Sequence, residues 1–192
     1  MLGPLLDRDL IQKTISTALS NGGEWAEVFV EDRQSASTEF DEGRVESMVS
    51  SRDLGAGVRV TVGEATGFAH TADLSSEGLK EAALAAAAAA QGGHQVEPVA
   101  LRGEGVSRNR AEVLPSTVPK TRKVELTRQT DAAAREVDGA ITQVSVRYSE
   151  GRRRILVANS DGVFNGDDQT RILQSVNCVA SGDQGLQTGR ET

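Results

Sequence analysis

The stretch of residues 53–79 constrains the fold more than any other, because it joins strand, turn and helix signals without interruption. Between residues 57 and 62, valines alternate with polar side chains, which is the period-two pattern of a half-buried strand. The short polar pair Gly63-Glu64 predicts a tight turn, and residues 65–70 return as a second strand. Ser75 then stands where a helix N-cap is expected. The segment therefore predicts a hairpin followed directly by a helix.

Local sequence signals also predict helices and strands in the rest of the chain. Apolar spacing and an alanine-rich run predict helices at residues 7–20, 76–91 and 120–137. Further strands are predicted at 25–33, 35–40, 44–51, 141–148, 152–159 and 170–180, with turns at 160–162 and 165–166. Short connections make neighbouring strands antiparallel. The predicted fold class is α+β, with a largely antiparallel sheet, about three helices and a duplicated helix-plus-meander unit.

Residues 92–119 differ in composition and periodicity from the segments on either side. They hold three of the four prolines of the chain, several glycines and little periodicity. Such a composition is typical of a linker or an extended excursion. The sequence therefore predicts a first α+β lobe at residues 1–91, a linker at 92–119 and a second α+β lobe at 120–192.

Composition excludes several functional classes. A formal net charge of -7 gives no basic surface for a phosphate backbone, which argues against direct nucleic-acid binding. The single cysteine, Cys178, cannot form an internal disulfide, which fits a reducing compartment. The N-terminal residues lack the pattern of a signal peptide, and no apolar run reaches the length of a membrane span. A cytoplasmic protein with no membrane partner is the simplest interpretation.

The residues that most often carry chemistry lack suitable neighbours in the sequence. Neither His70 nor His94 has a second nitrogen or thiolate ligand at metal spacing, so His70 is interpreted as an edge or partly buried histidine. Cys178 lies in an apolar strand without a base nearby, which favours a small core residue.

Polar clusters also have plain structural interpretations. Aspartates 161, 167 and 168 miss the spacing of a calcium loop, which favours two solvated turns. Glycines 55 and 57 lead into a strand and not a helix, so a bulge or close backbone approach is favoured over phosphate binding. The arginine run 152–154 is interpreted as charge that protects a strand from aggregation. The acidic residues within 39–46 are interpreted as a solvated hairpin tip.

Several motifs together resemble one family. The pieces GVRV, GFA and DLS within residues 57–75, the stretch at 26–51 and ILVANSDG at 155–162 are similar to the N-terminal region of the TldD/PmbA family. This family is often labelled "modulator of DNA gyrase" and regarded as metallopeptidases. The resemblance covers nearly the whole chain and is weakest at 92–119. Of the two subunit types, the metal-bearing TldD type is the closer match.

The resemblance also implies what this chain lacks. TldD-type members carry an HExxxH zinc motif and a distant cysteine ligand in their second half, whereas neither histidine here is followed by glutamate. The chain is thus expected to be the non-catalytic N-terminal region of a longer zinc peptidase, inactive alone, with no catalytic or metal-binding residue of its own. Zinc is expected in a C-terminal metal-bearing domain that this chain does not contain.

The resemblance further implies partners and substrate contacts. The N-terminal region would form a cleft wall and a subunit interface, with a homologous TldD/PmbA-type subunit in a hetero- or homodimer and unfolded or extended peptides as substrates. Substrate contacts are expected at Arg59, Gly67, Phe68 and Ala69, from their place in the matched motifs. The alternative is the N-terminal region of a metal-free PmbA/TldE-type partner, a binding and scaffold protein. A regulator that binds gyrase or DNA directly fits the acidic charge poorly.

Overall fold

The structure, a computed structural model, describes residues 3–90, 97–106 and 111–192. Its helices are α1 (Arg8–Leu19), α2 (Ser76–Ala89) and α3 (Lys120–Glu136), with a short 3₁₀ turn at Pro115–Thr117. Its strands are β1 (Trp25–Asp41), β2 (Arg44–Val62), β3 (Ala65–Thr71), β4 (Ile141–Asn159), β5 (Phe164–Gly182) and β6 (Gly185–Glu191). Within the described residues, no helix combines the length and the apolar character needed to cross a bilayer.

The six strands form one antiparallel sheet in the order β3-β2-β1-β4-β5-β6. Each half of the chain contributes a helix followed by a meander, α1 with β1 to β3 and α3 with β4 to β6. The α+β prediction is therefore confirmed. Strand β3 and strand β6 are the two terminal strands of this sheet.

The strands are longer than the sequence predicted. The predicted breaks near Gln34, Gly55 and Gly151 do not interrupt β1, β2 and β4. Each of these strands has a neighbour on both sides, so ladder hydrogen bonds hold polar and glycine residues in extended conformation. The turn predicted at 165–166 is wrong for the same reason, because β5 already begins at Phe164, and β6 was not predicted at all.

The hairpin turns follow from positive backbone φ angles. Glu42 and Gly43, between β1 and β2, have φ angles of 48° and 78°, as a type I′ turn requires. The acidic segment 39–46 therefore lies at a hairpin tip, as predicted. Gly63 has a φ angle of 53° between β2 and β3, which suits the first central position of a type II′ turn.

The chain forms two compact units that interleave along the sequence. Unit 1 comprises the described parts of residues 1–33, 53–110 and 153–169, and unit 2 those of 34–52, 111–152 and 170–192. Interleaving arises because β1, β2, β4 and β5 each run through both units. The division into lobes at 1–91 and 120–192 with a linker at 92–119 stays a prediction, because compactness and independent folding are different properties.

Helices α1 and α2 cover one face of the sheet in unit 1. Both start as the sequence predicts: Asp7 accepts hydrogen bonds from the amides of Asp9 and Leu10, and Ser75 accepts one from the Gly78 amide. Their apolar faces bury side chains against the inward-facing residues of β1 and β2. The fully buried members of this core include Ile11, Ile15, Val28, Val30, Val58, Val60, Leu79, Ala83 and Ala86.

Close contact between α2 and β3 depends on one glycine. The buried face of α2 consists largely of alanines, so its backbone approaches the sheet closely. A Cβ atom at Gly67 would collide with the carbonyl oxygen of Ala86 and would lie 2.8 Å from the amide nitrogen of Ala90. Gly67 is therefore required by helix packing.

Unit 2 has a smaller core. Phe40, Val144 and Val146 are buried together. Ala134 of α3 and Cys178 of β5 are partly buried and pack against them. This position agrees with the prediction that Cys178 is a small core residue.

We expect Gly67→Ala to lower the free energy of unfolding by about 2 kcal/mol or more, because either α2 or β3 must move to admit the methyl group. Urea unfolding followed by far-UV circular dichroism measures the change. Gly189→Ala is the matched control, since a Cβ atom there meets nothing within 4 Å, and its effect should stay below about 0.5 kcal/mol. Equal stability of the two variants would contradict the packing argument.

Candidate functional site

The residues implicated by the family resemblance lie on two faces of the β2–β3 hairpin. Arg59 pairs with Phe68 in the antiparallel register, whereas Gly67 and Ala69 pair with core valines. Directly paired residues point to the same face of a sheet. Arg59 and Phe68 therefore share the outer face, while Gly67 and Ala69 lie on the core side under α2. The structure thus separates the four predicted contacts into two pairs.

Phe68 is an exposed apolar side chain, with 62% of its surface accessible. Its ring stacks against the His70 ring at a centroid distance of 6.3 Å. The ring also covers Gly57, where a Cβ atom would lie 3.0 Å from it. His70 is itself exposed on a terminal strand, as the edge interpretation predicted. These residues form an aromatic surface on the outer face of β3.

This surface borders an open cleft of about 530 Å³, called here the outer cleft. Glycines 55 and 57 line it. A Cβ atom at Gly55 would lie 2.9 Å from the carbonyl oxygen of Thr71, which agrees with the close backbone approach predicted there, whereas Gly57 lies under the Phe68 side chain. The walls of the cleft are mostly apolar, and charged groups lie among them. The other lining residues are Phe29, Glu31, Arg33, Asp53, Leu54, Ala56, Phe68, His70, Thr71 and Ala72.

Two neighbouring side chains hold Arg59 in place on the outer face. Its guanidinium donates a hydrogen bond of 2.9 Å to Glu27 and lies 5.3 Å from the centroid of the Trp25 ring. The Trp25 indole N–H in turn donates to Asp161 at 2.8 Å. The sequence predicts a solvated turn at Asp161, and no local pattern links it to Trp25, 136 positions away in sequence.

A second ion pair lies beside the outer cleft. Arg153 donates to Glu31 at 2.7 Å, and this hydrogen bond raises the pKa of the Arg153 guanidinium above its ordinary value. Arg153 thus has a specific partner on β1, whereas the sequence indicated only a charged strand. Asp167 and Asp168 lie within β5, so the second of the two predicted solvated turns is wrong.

Unit 2 holds a different cavity, called here the polar pocket, with a volume of about 470 Å³. Lys123 donates to one carboxylate oxygen of Glu150 at 2.6 Å, and the Tyr148 hydroxyl donates to the other at 2.9 Å. The Lys123 and Glu150 side chains are only 11% and 10% exposed. No sequence motif indicates this cluster, because α3 and β4 bring together residues that lie 27 positions apart.

The surroundings of Tyr148 favour its neutral form. Burial of the phenol, its hydrogen bond to Glu150 and the charge of that carboxylate together raise the pKa of Tyr148 to about 12. Since this exceeds the unfolded value of about 10, the neutral phenol stabilises the fold below pH ~10. That contribution is lost as the pH rises through about 12.

The described residues do not fit a zinc site. Within residues 3–90, 97–106 and 111–192, no group of three or more histidine, cysteine or acidic side chains is positioned to hold a metal ion. Zinc in proteins ordinarily takes at least three such ligands. His94, the other histidine considered, lies outside the described residues.

Absorbance titration should give a native pKa of about 12 for Tyr148, about 2 units above the value in denaturant. The assignment is unambiguous because the chain has one tyrosine. Tyr148→Phe should abolish the transition and weaken the pH dependence of unfolding between about 10 and 12. A native transition near pH 10 would show that Glu150 does not hold the phenol.

Comparison with known proteins places these units in one family. Residues 26–90 match the family description "PmbA/TldA metallopeptidase domain 1", and residues 114–192 match "PmbA/TldA metallopeptidase central domain". A curated protein of Haemophilus influenzae, "Metalloprotease TldD homolog", is 27% identical over 159 residues. The match covers 81% of this chain and 33% of the relative, so the chain spans about a third of that protein's length.

Solved structures share the fold. A protein of Thermotoga maritima, described as a modulator of a DNA gyrase, has a TM-score of 0.72 at 14% identity over 95% of this chain and 41% of its own. TldE of Thermococcus kodakarensis has a TM-score of 0.68 at 14% identity over 95% of this chain and 42% of its own. With matches to the first and central domains of the family and a curated TldD homologue, the chain belongs to the TldD/PmbA family of metallopeptidases.

Proposed function

We propose that this chain is the non-catalytic N-terminal region of a TldD-type zinc peptidase subunit, where it binds extended or unfolded peptides. Two observations support this role. The chain matches the first and central family domains but spans about a third of the TldD homologue's length. In addition, the described residues do not fit zinc, so the metal-binding side chains would belong to a further region of the protein.

The exposed aromatic surface of β3 is the observation that carries the peptide-binding proposal. An extended peptide can add a strand to the terminal strand of a sheet through main-chain hydrogen bonds. Strand β3 is terminal, and Phe68 and His70 point from it to the outer face. Side chains of an added peptide would alternate in the same way, so every second one would lie beside the outer cleft.

The four predicted contacts would then act differently. Phe68 would supply apolar contact, and Arg59 would offer its charge beside it, held by Glu27 and Trp25. Gly67 and Ala69 face the core and pair with Val60 and Val58 of β2, so they would act by placing Phe68 on the outer face and not by direct contact with the peptide. Most strands of a folded substrate are already paired, whereas an unfolded chain offers its backbone freely, which gives a physical reason for favouring unfolded chains.

The alternative is a metal-free subunit of the TldE type that binds peptide and partner without chemistry of its own. TldE of Thermococcus kodakarensis shares this fold, so fold similarity alone does not distinguish a TldE-type subunit from a TldD-type subunit. In either case, a homologous TldD/PmbA-type subunit is the proposed partner, in a hetero- or homodimer. Whether the longer protein binds zinc distinguishes the two types.

Elemental analysis of the protein expressed from its complete reading frame tests the choice. We expect about one zinc per chain, bound by a downstream HExxxH motif and a cysteine. Replacement of the first histidine of that motif should remove the metal, while replacement of His70 should leave it bound. A protein without zinc and without the motif would contradict the peptidase assignment and favour the TldE-type subunit.

In that same protein, assembled with its partner, we expect Phe68→Ala to lower kcat/KM for an unfolded peptide by about tenfold, through loss of apolar contact. Arg59→Ala should also lower it. Leu84→Ala is the matched control, because Leu84 is an exposed apolar residue of α2 that lies away from the outer face. Wild-type turnover in both the Phe68 and Arg59 variants would overturn the assigned peptide contacts without affecting the zinc result.

A further inference from the structure

The two compact units differ in net charge. Unit 1 has 16 acidic and 10 basic side chains, a formal net charge of -6, whereas unit 2 has 12 acidic and 11 basic side chains, a net charge of -1. An ion pair within a unit cancels in this count. Asp32, Asp167 and Asp168 have other interactions, and unit 1 still carries a net charge of -3 without them. The proposed peptide-binding strand, β3, belongs to this acidic unit.

Carboxylates lie at both ends of β3. Glu64 is exposed in the turn that precedes the strand, and Glu24 accepts a hydrogen bond of 3.0 Å from the Gly63 amide in the same turn. Asp73 follows the end of the strand by two positions. The Ser75 amide and hydroxyl both donate to its carboxylate, and these hydrogen bonds lower the pKa of Asp73. A peptide extended along β3 would therefore have a carboxylate near each of its ends.

The cations of the adjoining outer face are matched by carboxylates. Arg59 and Arg153 each donate a hydrogen bond to a glutamate of β1. The outer cleft is also lined by one further cation, Arg33, and by one further carboxylate, Asp53. These groups balance one another, whereas the carboxylates at the two ends of β3 form no ion pair among the described residues. The local excess around β3 is therefore negative even when every one of these cations is counted.

The exposed ring of Phe68 also favours a basic ligand. The face of an aromatic ring attracts an ammonium or guanidinium group, and the apolar stem of lysine or arginine can cover apolar surface. The same ring face and the nearby carboxylates disfavour an acidic side chain. Arg59 does not oppose this preference, because Glu27 offsets its charge and its other N–H donors suit the neutral carbonyl groups of a peptide.

We propose that β3 preferentially binds extended peptides rich in lysine and arginine. This inference rests on the proposed peptide-binding function and names the class of substrate. Main-chain pairing with β3 is the same for any extended peptide, so the preference must come from side chains and net charge. The negative charge of unit 1 would attract a basic peptide before contact, and the carboxylates at the ends of β3 and the Phe68 ring would then hold its side chains.

Fluorescence anisotropy of labelled peptides mixed with the 192-residue chain tests this preference. The peptides have about ten residues and one common sequence, with lysine, glutamine or glutamate at alternate positions. At about 50 mM salt, we expect the lysine peptide to bind about tenfold more tightly than the glutamine peptide, and the glutamate peptide to bind most weakly. At about 500 mM salt, the lysine preference should fall below about threefold.

The outcomes separate this inference from the function on which it rests. Equal affinities for the peptides at low salt would overturn the preference and leave peptide binding intact. Tighter binding of the glutamate peptide would overturn the preference as well. A chain that binds none of the peptides would overturn the proposed peptide-binding function together with this inference.

Charge-neutral variants locate the effect within unit 1. At about 150 mM salt, Glu64→Gln should weaken binding of the lysine peptide by about two- to threefold and leave the glutamine peptide unaffected. Glu104→Gln is the matched control, because Glu104 is also exposed and its neighbours Gly103 and Gly105 lie against Phe164 of β5. Three strands separate β5 from β3, a spacing of about 19 Å, or more than two Debye lengths. Equal losses in the two variants would reduce the effect to net charge and overturn the proposal.

Phe68→Ala shows whether the basic peptide binds at β3. We expect this variant to weaken binding of both the lysine and the glutamine peptide, with the larger loss for the lysine peptide, because the ring contributes a cation–π contact in addition to apolar contact. The side chain is 62% exposed, so its removal should leave the fold intact. An unchanged affinity for the lysine peptide would place basic peptides elsewhere on the chain and overturn the proposal.

Discussion

Contact between the α2 backbone and β3 at Gly67 determines the geometry of unit 1. The helix rests on the strand through alanines and a glycine, so there is no room for a side chain on the core side at that position. Since side chains alternate along a strand, placing Gly67 and Ala69 inward forces Phe68 and His70 outward. The packing that stabilises the sheet is therefore also what exposes the aromatic surface, and a change in register by one residue would bury it.

The same alternation positions Arg59, but neighbouring elements then restrain it. Glu27 of β1 accepts its hydrogen bond, and the Trp25 ring lies below its guanidinium. Asp161 orients Trp25 in turn. A side chain with several rotatable bonds loses much conformational entropy when it binds a ligand, and this loss is smaller when existing contacts already restrict it. The cation near Phe68 is thus partly pre-organised.

Sequence predicted the features that depend on neighbouring residues. The valine alternation of β2, the Gly63 turn and the Ser75 cap are local signals, and the structure contains each of them. Strand continuity depends instead on pairing partners, which explains why the polar breaks in β1, β2 and β4 were predicted wrongly. Strand β6 has an exposed, irregular sequence and is held by its ladder with β5. No local pattern could reveal it.

The cluster in the polar pocket shows a further limit of local patterns. Lys123 and Glu150 are 27 positions apart, and each by itself resembles an ordinary surface charge in the sequence. Desolvation makes a buried ion pair a weak source of stability, since apolar side chains of similar volume often stabilise a fold as well or better. The stability of unit 2 therefore gives little reason for burying this pair. What the pair does is fix positions: Glu150 accepts from Tyr148 with one oxygen and from Lys123 with the other, so α3 is tied to β4 at the wall of the polar pocket.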